Sequence, residues 1–489
     1  VAANGSLTKY NLVDQTIDDF QDATGIDTSA SSGETLTSGY YSGAAITTTN
    51  YSATSTGYQG TIQSYTVPSG LSSLSIEVWG ARGGAGANSY KLAATTGTMT
   101  NSTGGAGPHG GFGARMKGTF SSPPAAGSTI KILVGQAGTG DNTADHGHGG
   151  GGGGTFAMVD HGVSSTAGTT KGVGNSTRYS PLVVAGGGGG ASVYSGYSFG
   201  QNATPWNAES EVHASTTESA TAHNDSYATA YAFTPGTAGS GGGINTSAGD
   251  YVAGAGGGFL TNGATTDTTH VDASEGDGGD SFLNGGEGGN SSSGTSNYGN
   301  YYGGFGGGAG ANLAGAGGGG GYSGGGGGSG LWSSVSKNGG GGGSIINSDY
   351  GGSSITATGG ATDKQTSPGS EHGYVTLIAT TEQDMTLISN ATTAEAVPTK
   401  GDIVFTYTNG AGTTTLGTDL TAEFSADGGS TWTSMTLGSE GTTGGHNIAT
   451  AHDVSLTSTS GTSMAYRIKT LNQSASKTTR IQAVSLGWS

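Results

Sequence analysis

Glycine in unbroken runs is what most restricts the folds open to this chain. Residues 145–162 read DHGHGGGGGGTFAMVDHG, with six consecutive glycines at 149–154, and runs of five recur at 186–190, 317–321, 324–328 and 339–343. A run without side chains buries no apolar side-chain surface, so it either stays a flexible spacer or is ordered through its own backbone. Of 489 residues, 103 are glycine and 31% are hydrophobic, so an interior large enough for the chain must include glycine itself. The length corresponds to roughly two to four domains. There is no cysteine, which excludes disulfide staples, thiolate metal ligands and thiol nucleophiles.

Three features oppose the spacer reading. The runs have similar lengths, they are punctuated by large residues such as Phe259, Phe305, Tyr322 and Trp332, and several abut apolar stretches, as in LVVAGGGGG and GGGGGSII. The ordered alternative is the polyproline-II-type helix of polyglycine, with three residues per turn and about 3.1 Å rise, so that five residues span about 15 Å. Such a helix has no internal hydrogen bonds, so its N–H and C=O groups need neighbouring helices, and only glycine lets the backbones approach closely enough. Weak Cα–H···O contacts add to that lattice. A β-strand reading of the runs is the remaining alternative.

Composition divides the chain into three zones. Residues 1–57 are rich in Ser, Thr and Asp; Leu12, Ile17, Phe20 and Ile26 are spaced too irregularly for a helix, and the zone reads as an attachment or oligomerisation arm or a small cap. Residues 58–380 are glycine-dominated but carry period-2 strand patterns: Leu74, Ile76 and Val78; Ile130, Ile132 and Val134; Val375 and Leu377. Residues 384–489 contain only 12 glycines and read as a separate all-β domain, with Ile403, Phe405 and Tyr407 on one face and Leu420, Ala422 and Phe424 on another. Asn409-Gly410 and Asp427-Gly428 are hairpin-turn signals. A phase shift between Ala483 and Val484 predicts a bulge in the last strand.

The order of these motifs carries a resemblance. GYQGTIQSYTVPSGLSSLSIEVWGARGGAG, then GGFGARMKGTF, STIKILVGQAG, PLVVAGGGGGAS, GGGGGYSGGGGGSG and HGYVTLIA resemble the glycine-rich domain of the anaplastic lymphoma kinase and leukocyte tyrosine kinase receptors and its microbial relatives. The resemblance covers about 58–380 and implies a β-sandwich of tumour-necrosis-factor type carrying an inserted bundle of polyglycine helices. Without a kinase or transmembrane segment, receptor signalling does not follow. DMTLISNATTAEAVPTKGDIVFTYTNGAGTTTLGTDLTAEFSADGGSTWT and GTSMAYRIKTLNQSASKTTRIQAVSLGW are similar to the C-terminal domain of tail-fibre and structural proteins of marine bacteriophages, as is DDFQDATGID near the start. That likeness implies a C-terminal β-sandwich, a virion-surface location, and assembly as a homotrimer, although no heptad or collagen repeat demands three chains. A glycine-helix bundle also serves the receptor-binding adhesin of some T-even-like phages, a similarity of architecture alone.

Candidate sites are few. SADGGSTW at 425–432 matches the Asp-box of sialidases through Ser425, Asp427, Gly429 and Trp432; one copy reads as a structural hairpin, since no paired carboxylates or arginine cluster accompany it. His146 and His148, near Asp141 and Asp145, could hold zinc or nickel, with a solvated loop as the plainer reading. Glu275, Asp277 and Asp280 offer oxygen ligands for calcium without the spacing of an EF-hand; an exposed acidic turn is the alternative. GxGxxG matches lack a strand-then-helix context and imply no nucleotide. The long insertions 192–213 and 221–235 hold Tyr194, Tyr197, Phe199, Trp206, Tyr227, Tyr231 and Phe233, suited to stacking on sugars or to covering the scaffold; Tyr194, Tyr197, Trp206, Tyr227 and Tyr231 are the receptor-contact candidates.

The net charge of −18 with 15 Lys+Arg argues against a nucleic-acid partner. No run of eighteen apolar residues predicts membrane insertion, and VAANGSLTKYNLVD lacks the basic and apolar regions of a signal peptide. The expectation is therefore a non-enzymatic virion fibre without a cofactor, its arm on other virion proteins and its loops on a host surface glycan or protein. A secreted, polymerising matrix protein or adhesin is the alternative, and a glycan-active enzyme a weaker one.

Overall fold

The computed structural model describes residues 9–12, 14–55, 57–86, 90–92, 99–101, 110–140, 146–162, 178–194, 212–221, 233–244, 252–265, 276–290, 301–312, 315–328, 330–331, 335–336, 338–358, 371–458 and 460–489. These form an almost entirely β protein with several sheets. Its regular helical turns, among the described residues, are the short 3-10 segments Phe282–Asn284 and Ser348–Tyr350. The chain divides into two compact units, one of Val1–Thr47, Pro68–Ser73 and Ala379–Ser489, the other of Thr48–Val67 and Leu74–Ile378.

A five-stranded sheet, most of it in the glycine-rich unit, runs in the order Gly352–Thr358, Arg115–Phe120, Leu71–Trp79, Tyr374–Glu382, Ala44–Ser52. A second runs Ile345–Ile346, Tyr179–Ala185, Thr155–Asp160, Thr129–Leu133, Gln63–Thr66. The alternation in the sequence is realised: Leu74, Ile76, Val78, Ile130, Ile132, Val375 and Leu377 are fully buried and alternate with partly exposed residues such as Ser75, Glu77, Lys131 and Thr376. Phe259, Phe305 and Tyr322, which interrupt the glycine runs, are buried with Leu133, Phe156, Met158, Val184, Phe282 and Ile345 in one apolar cluster. Trp332 lies outside the described residues.

Six strands continue directly into glycine-rich segments. Leu71–Trp79 leads into 80–84, 110–114 into Arg115–Phe120, Thr129–Leu133 into 135–140, 149–154 into Thr155–Asp160, Tyr179–Ala185 into 186–191, and 339–344 into Ile345–Ile346. These segments are extended, and their hydrogen bonds run to segments distant in sequence. The amides of Gly149 to Gly154 donate in turn to Ala191, Thr139, Ala309, Gly188, Gln136 and Gly306, at 2.7 to 2.9 Å. Every third residue thus faces the same neighbour, whose numbering steps by three. The run 186–191 repeats the pattern: Gly187 and Gly190 donate to Gly320 and Gly317, Gly188 and Ala191 to Ala81 and Gly84, while the carbonyls of Gly187 and Gly190 accept from Gly342 and Gly339. In 317–322 the amides donate to Gly149, Gly254, Gly340, Gly152, Gly257 and Gly343.

The other unit holds an eight-stranded sheet along the path Lys9–Leu12, Gln15–Asp18, Thr478–Trp488, Lys400–Ala411, His446–Ser455, Gly438–Thr443, with Tyr40–Ser42 also paired to Thr478–Trp488 and to Thr35–Thr37. A five-stranded sheet contains Met385–Ile388, Ser463–Thr470, Leu420–Ser425 and Thr433–Met435, with Thr392–Thr393 on Ser463–Thr470. The segment expected as an arm therefore docks on the far end of its own chain. Its Phe20, Ile26 and Tyr41 are buried in the same core as Ile403, Phe405, Phe424, Ile468 and Leu486.

Two turn expectations come out differently. Asp427 and Gly428 do lie between paired strands, with Gly428 at φ 71° and Gly429 at φ 90°. Asn409 and Gly410 instead stay within the strand Lys400–Ala411, at a register slip opposite Thr478 and Thr479. The left-handed glycine there is Gly412, at φ 63°, and Asn409 Oδ1 accepts the Thr414 N–H at 3.1 Å, so the ladder runs through the Asn-Gly pair to Ala411 and the turn follows it. The expected bulge in the last strand is present: Thr406 pairs Ala483 while Tyr407 pairs Ile481, leaving Gln482 as the extra residue.

Candidate functional site

The direction of the glycine segments brings their strand-remote ends into one layer. Ala191 donates to Gly84, Gly149 to Ala191, Gly150 to Thr139, Gly317 to Gly149, Gly190 to Gly317, and Gly339 to Gly190. At the strand-proximal ends, Gly80 donates to Ala114, Ala114 to Gly186, Ala81 to Gly153, Gly154 to Gly306 and Tyr322 to Gly343. Gly84, Thr139, Gly149 and Ala191 therefore lie in the layer remote from the sheets, whereas 121–128 connects Arg115–Phe120 to Thr129–Leu133 at their strand ends. Just past that layer, His146–His148 pairs antiparallel with Ser192–Tyr194, in register His146 to Tyr194 and His148 to Ser192. Of the receptor-contact candidates, Tyr194 is described only in its backbone; Tyr197, Trp206, Tyr227 and Tyr231 lie outside the described residues, as does Phe199. Phe233 is buried, 4% exposed, and belongs to the scaffold.

The metal-ligand candidates are engaged otherwise. His148 is fully buried with Nδ1 2.6 Å from Ser192 Oγ, and the His146 side chain is outside the described set. Asp277 and Asp280 contribute backbone groups to the glycine lattice: Asp277 donates to Asn290 and accepts from Gly310, and Asp280 donates to Glu287. Burial raises both carboxyls, Glu287 adds to the effect at Asp280, and Asn262 Nδ2 donates to the Asp280 carboxylate. Among the described residues, no three His, Asp or Glu side chains converge on a metal-sized site. Asp141, Asp145 and Glu275 lie outside them.

The Asp-box is a self-satisfied hairpin. Asp427 Oδ1 accepts the Thr431 N–H at 2.9 Å and Oδ2 the Thr431 hydroxyl at 2.6 Å, while Ser425 Oγ donates to Asp427 and accepts the Gly429 N–H at 2.9 Å. Thr431 foremost, then Ser425, hold the Asp427 carboxyl down to about 2. Trp432 packs beneath the Arg467 guanidinium, 4.4 Å from its ring centre, and Arg467 and Lys469 both pair with Glu423. Both carboxylate oxygens of Asp427 are thereby engaged within the hairpin. The arrangement fastens a turn to the sheet.

One group within the glycine lattice carries no recognisable sequence signal. Arg82, 5% exposed, lies over the Phe112 ring at 5.0 Å, reaches Glu371 at 3.3 Å and its Nε is 3.5 Å from the Gly110 carbonyl. Phe112 stacks on His213 at 5.6 Å, and His213 Nδ1 accepts the Phe112 N–H at 3.0 Å. Burial, then the charge of Arg82, push His213 down to about 4. His372 Nδ1 accepts the Ala137 N–H in the same way, and burial lowers it too. Both imidazoles close lattice amides that no glycine carbonyl reaches. Thr155 Oγ1 does the same for Gly135 and Ser344 Oγ for Gly186. In the sequence these residues read as ordinary polar neighbours of glycine.

Comparison with known proteins adds no identity: no protein family matches the chain, and no curated protein matches it.

Proposed function

We propose that the chain is a non-enzymatic virion appendage, a phage tail-fibre or surface-fibre subunit that contributes to host-surface attachment. In this reading the glycine segments are polyglycine-II helices bundled onto a tumour-necrosis-factor-like β-sandwich, and the C-terminal unit is a second sandwich. The threefold periodicity of hydrogen-bond direction favours that helix, because three residues per turn return each amide to the same neighbour. The observation that carries the functional reading is the shared layer of strand-remote ends, from which the first aromatic-bearing insertion departs. A rigid body whose chain runs on from Ala191 into the first of the insertions that carry Tyr194, Tyr197, Trp206, Tyr227 and Tyr231 suits recognition by stacking and adaptable hydrogen bonding, with a surface glycan as the favoured ligand. The engagement of Asp427 within its own hairpin supports a binding role over hydrolysis. Homotrimeric assembly and attachment to other virion proteins belong to the same reading.

The test is direct. Antibody raised against the purified protein should label projections on phage particles and block their adsorption. Replacing 195–211 by a short Gly-Ser linker should leave the melting temperature nearly unchanged and abolish competition for host cells. Labelling of filaments between cells, with none on virions, would contradict the proposal in favour of an extracellular matrix protein.

A further inference from the structure

The N-terminal segment is an element whose partner lies at the opposite end of the chain. Gln15–Asp18 pairs with Thr478–Trp488 in register Ile17 to Ser485, Tyr40–Ser42 pairs with the same strand at Arg480 and Ile481, and bridges join Ile26 to Ser389 and Ser32 to Thr386. Phe20 and Tyr41, in edge-to-face contact at 5.0 Å, and Ile26 fill the core between the sheets. If the segment withdrew, the edge of the last strand and an apolar hollow would be bared together, and a segment with the same side chains in the same register is what fits both.

The fit carries local strain. Three non-glycine residues of the segment sit at left-handed φ, Asp14 at 63°, Phe20 at 54° and Ser38 at 43°, a conformation that is costly for a bulky side chain such as Phe20. Where the segment meets the core, the hydroxyls of Tyr41 and Tyr466 are buried without a hydrogen-bond partner among the described residues. Strained backbone and unpaired buried hydroxyls concentrate at this seam, so it should open before the rest of the unit. Every copy of the chain presents the same strand edge and the same hollow.

We propose that the N-terminal segment, residues 9–43, is exchanged between copies of this chain, each copy's Gln15–Asp18 strand pairing with the Thr478–Trp488 strand of another. The interaction surface is the Val484 to Gly487 edge with the hollow that receives Phe20, Ile26 and Tyr41. The exchange stands independently of the appendage reading, since it needs only two copies of the chain.

The absence of cysteine makes the test clean. One copy carries Ile17→Cys, another, with a different affinity tag, carries Ser485→Cys, and the two are mixed as full-length folded proteins and oxidised. The expected product is a covalent dimer, cleaved by reductant, whose linking peptide joins positions 17 and 485. A variant with both substitutions reports whether the pair is correctly placed. If that variant closes only on itself while the mixture, and a co-expressed mixture, stay monomeric on a non-reducing gel, exchange is overturned. If neither linkage forms, the pairing itself is wrong and the proposal falls with it.

Discussion

At the scale of single residues, the glycines of the runs are required by proximity and not by backbone torsion. None of those at 149–154, 186–190, 317–321 or 339–343 has a positive φ. A Cβ on Gly187 would lie 2.2 Å from the Gly152 carbonyl oxygen, and one on Gly319 2.2 Å from that of Gly187. Backbone atoms held by their own hydrogen bonds cannot yield as a flexible side chain would. Gly187→Ala and Gly319→Ala should each destabilise by at least about 1–3 kcal/mol, the usual cost of overpacking. The exposed control Gly438→Ala, whose nearest atom would be 3.9 Å away, should stay within about 0.5 kcal/mol in the same denaturant titration. Ala81, Ala309 and Ala316 are fully buried in the lattice, which shows that a methyl is accepted where the neighbours leave room.

His213 and His372 add a pH dependence at the same scale. Each accepts a backbone N–H and so must be neutral, and both are lowered from 6.5, His213 to about 4. Their contribution is therefore complete above pH 6.5, declines as pH falls below it, and is lost as His213 charges near pH 4. The melting temperature should fall across that window, and His213→Gln should flatten part of the decline. A profile of the native protein that is level from pH 7 to 4 would refute the assignment. Asp419, held to about 2 chiefly by Lys477, and Asp427 contribute in a lower window, above about 3.8 and lost toward 2.

At the scale of elements, strands were legible because alternation is a local signal. Leu74, Ile76 and Val78, or Leu420, Ala422 and Phe424, need only a half-buried sheet to explain them. The Asp-box was legible for the same reason, its bonds being confined to a few residues; Asp427→Ala should lower stability by about 0.5–1.5 kcal/mol through loss of its hydrogen bonds to Thr431, measured as a shift in the denaturation midpoint. What depends on distant partners was not legible. Asn409-Gly410 reads as a turn until the ladder to Thr478–Trp488 extends through it. Phe20 and Ile26 have no periodicity because they fill the core from either side of a turn in which the Ile26 N–H donates to the Ala23 carbonyl at 3.1 Å.

For the molecule as a whole, the glycine-rich unit adds to its apolar clusters layers of backbone pairs that extend its strands. Single bonds of this kind contribute about 1 kcal/mol net, and glycine loses more conformational freedom on ordering than other residues, so only cooperation among many runs can hold them. The sequence announced that something unusual filled this region, through recurring run lengths and strand-abutting ends. It could not announce which run meets which, because identical glycines carry no registry; the flanking strands and the capping Thr155, Ser344, His213 and His372 supply it. The aromatic insertions were legible in composition, whereas the layer of strand-remote ends at Gly84, Thr139, Gly149 and Ala191 emerged only from the alternating direction of the runs.

Amide hydrogen–deuterium exchange of the native protein, resolved to the segments 149–154, 186–190 and 317–321, tests the central claim most directly. Protection comparable to that of the buried strands Thr155–Asp160 and Tyr179–Ala185 is the predicted result. Exchange within seconds throughout these segments, while the strands stay protected, would contradict it.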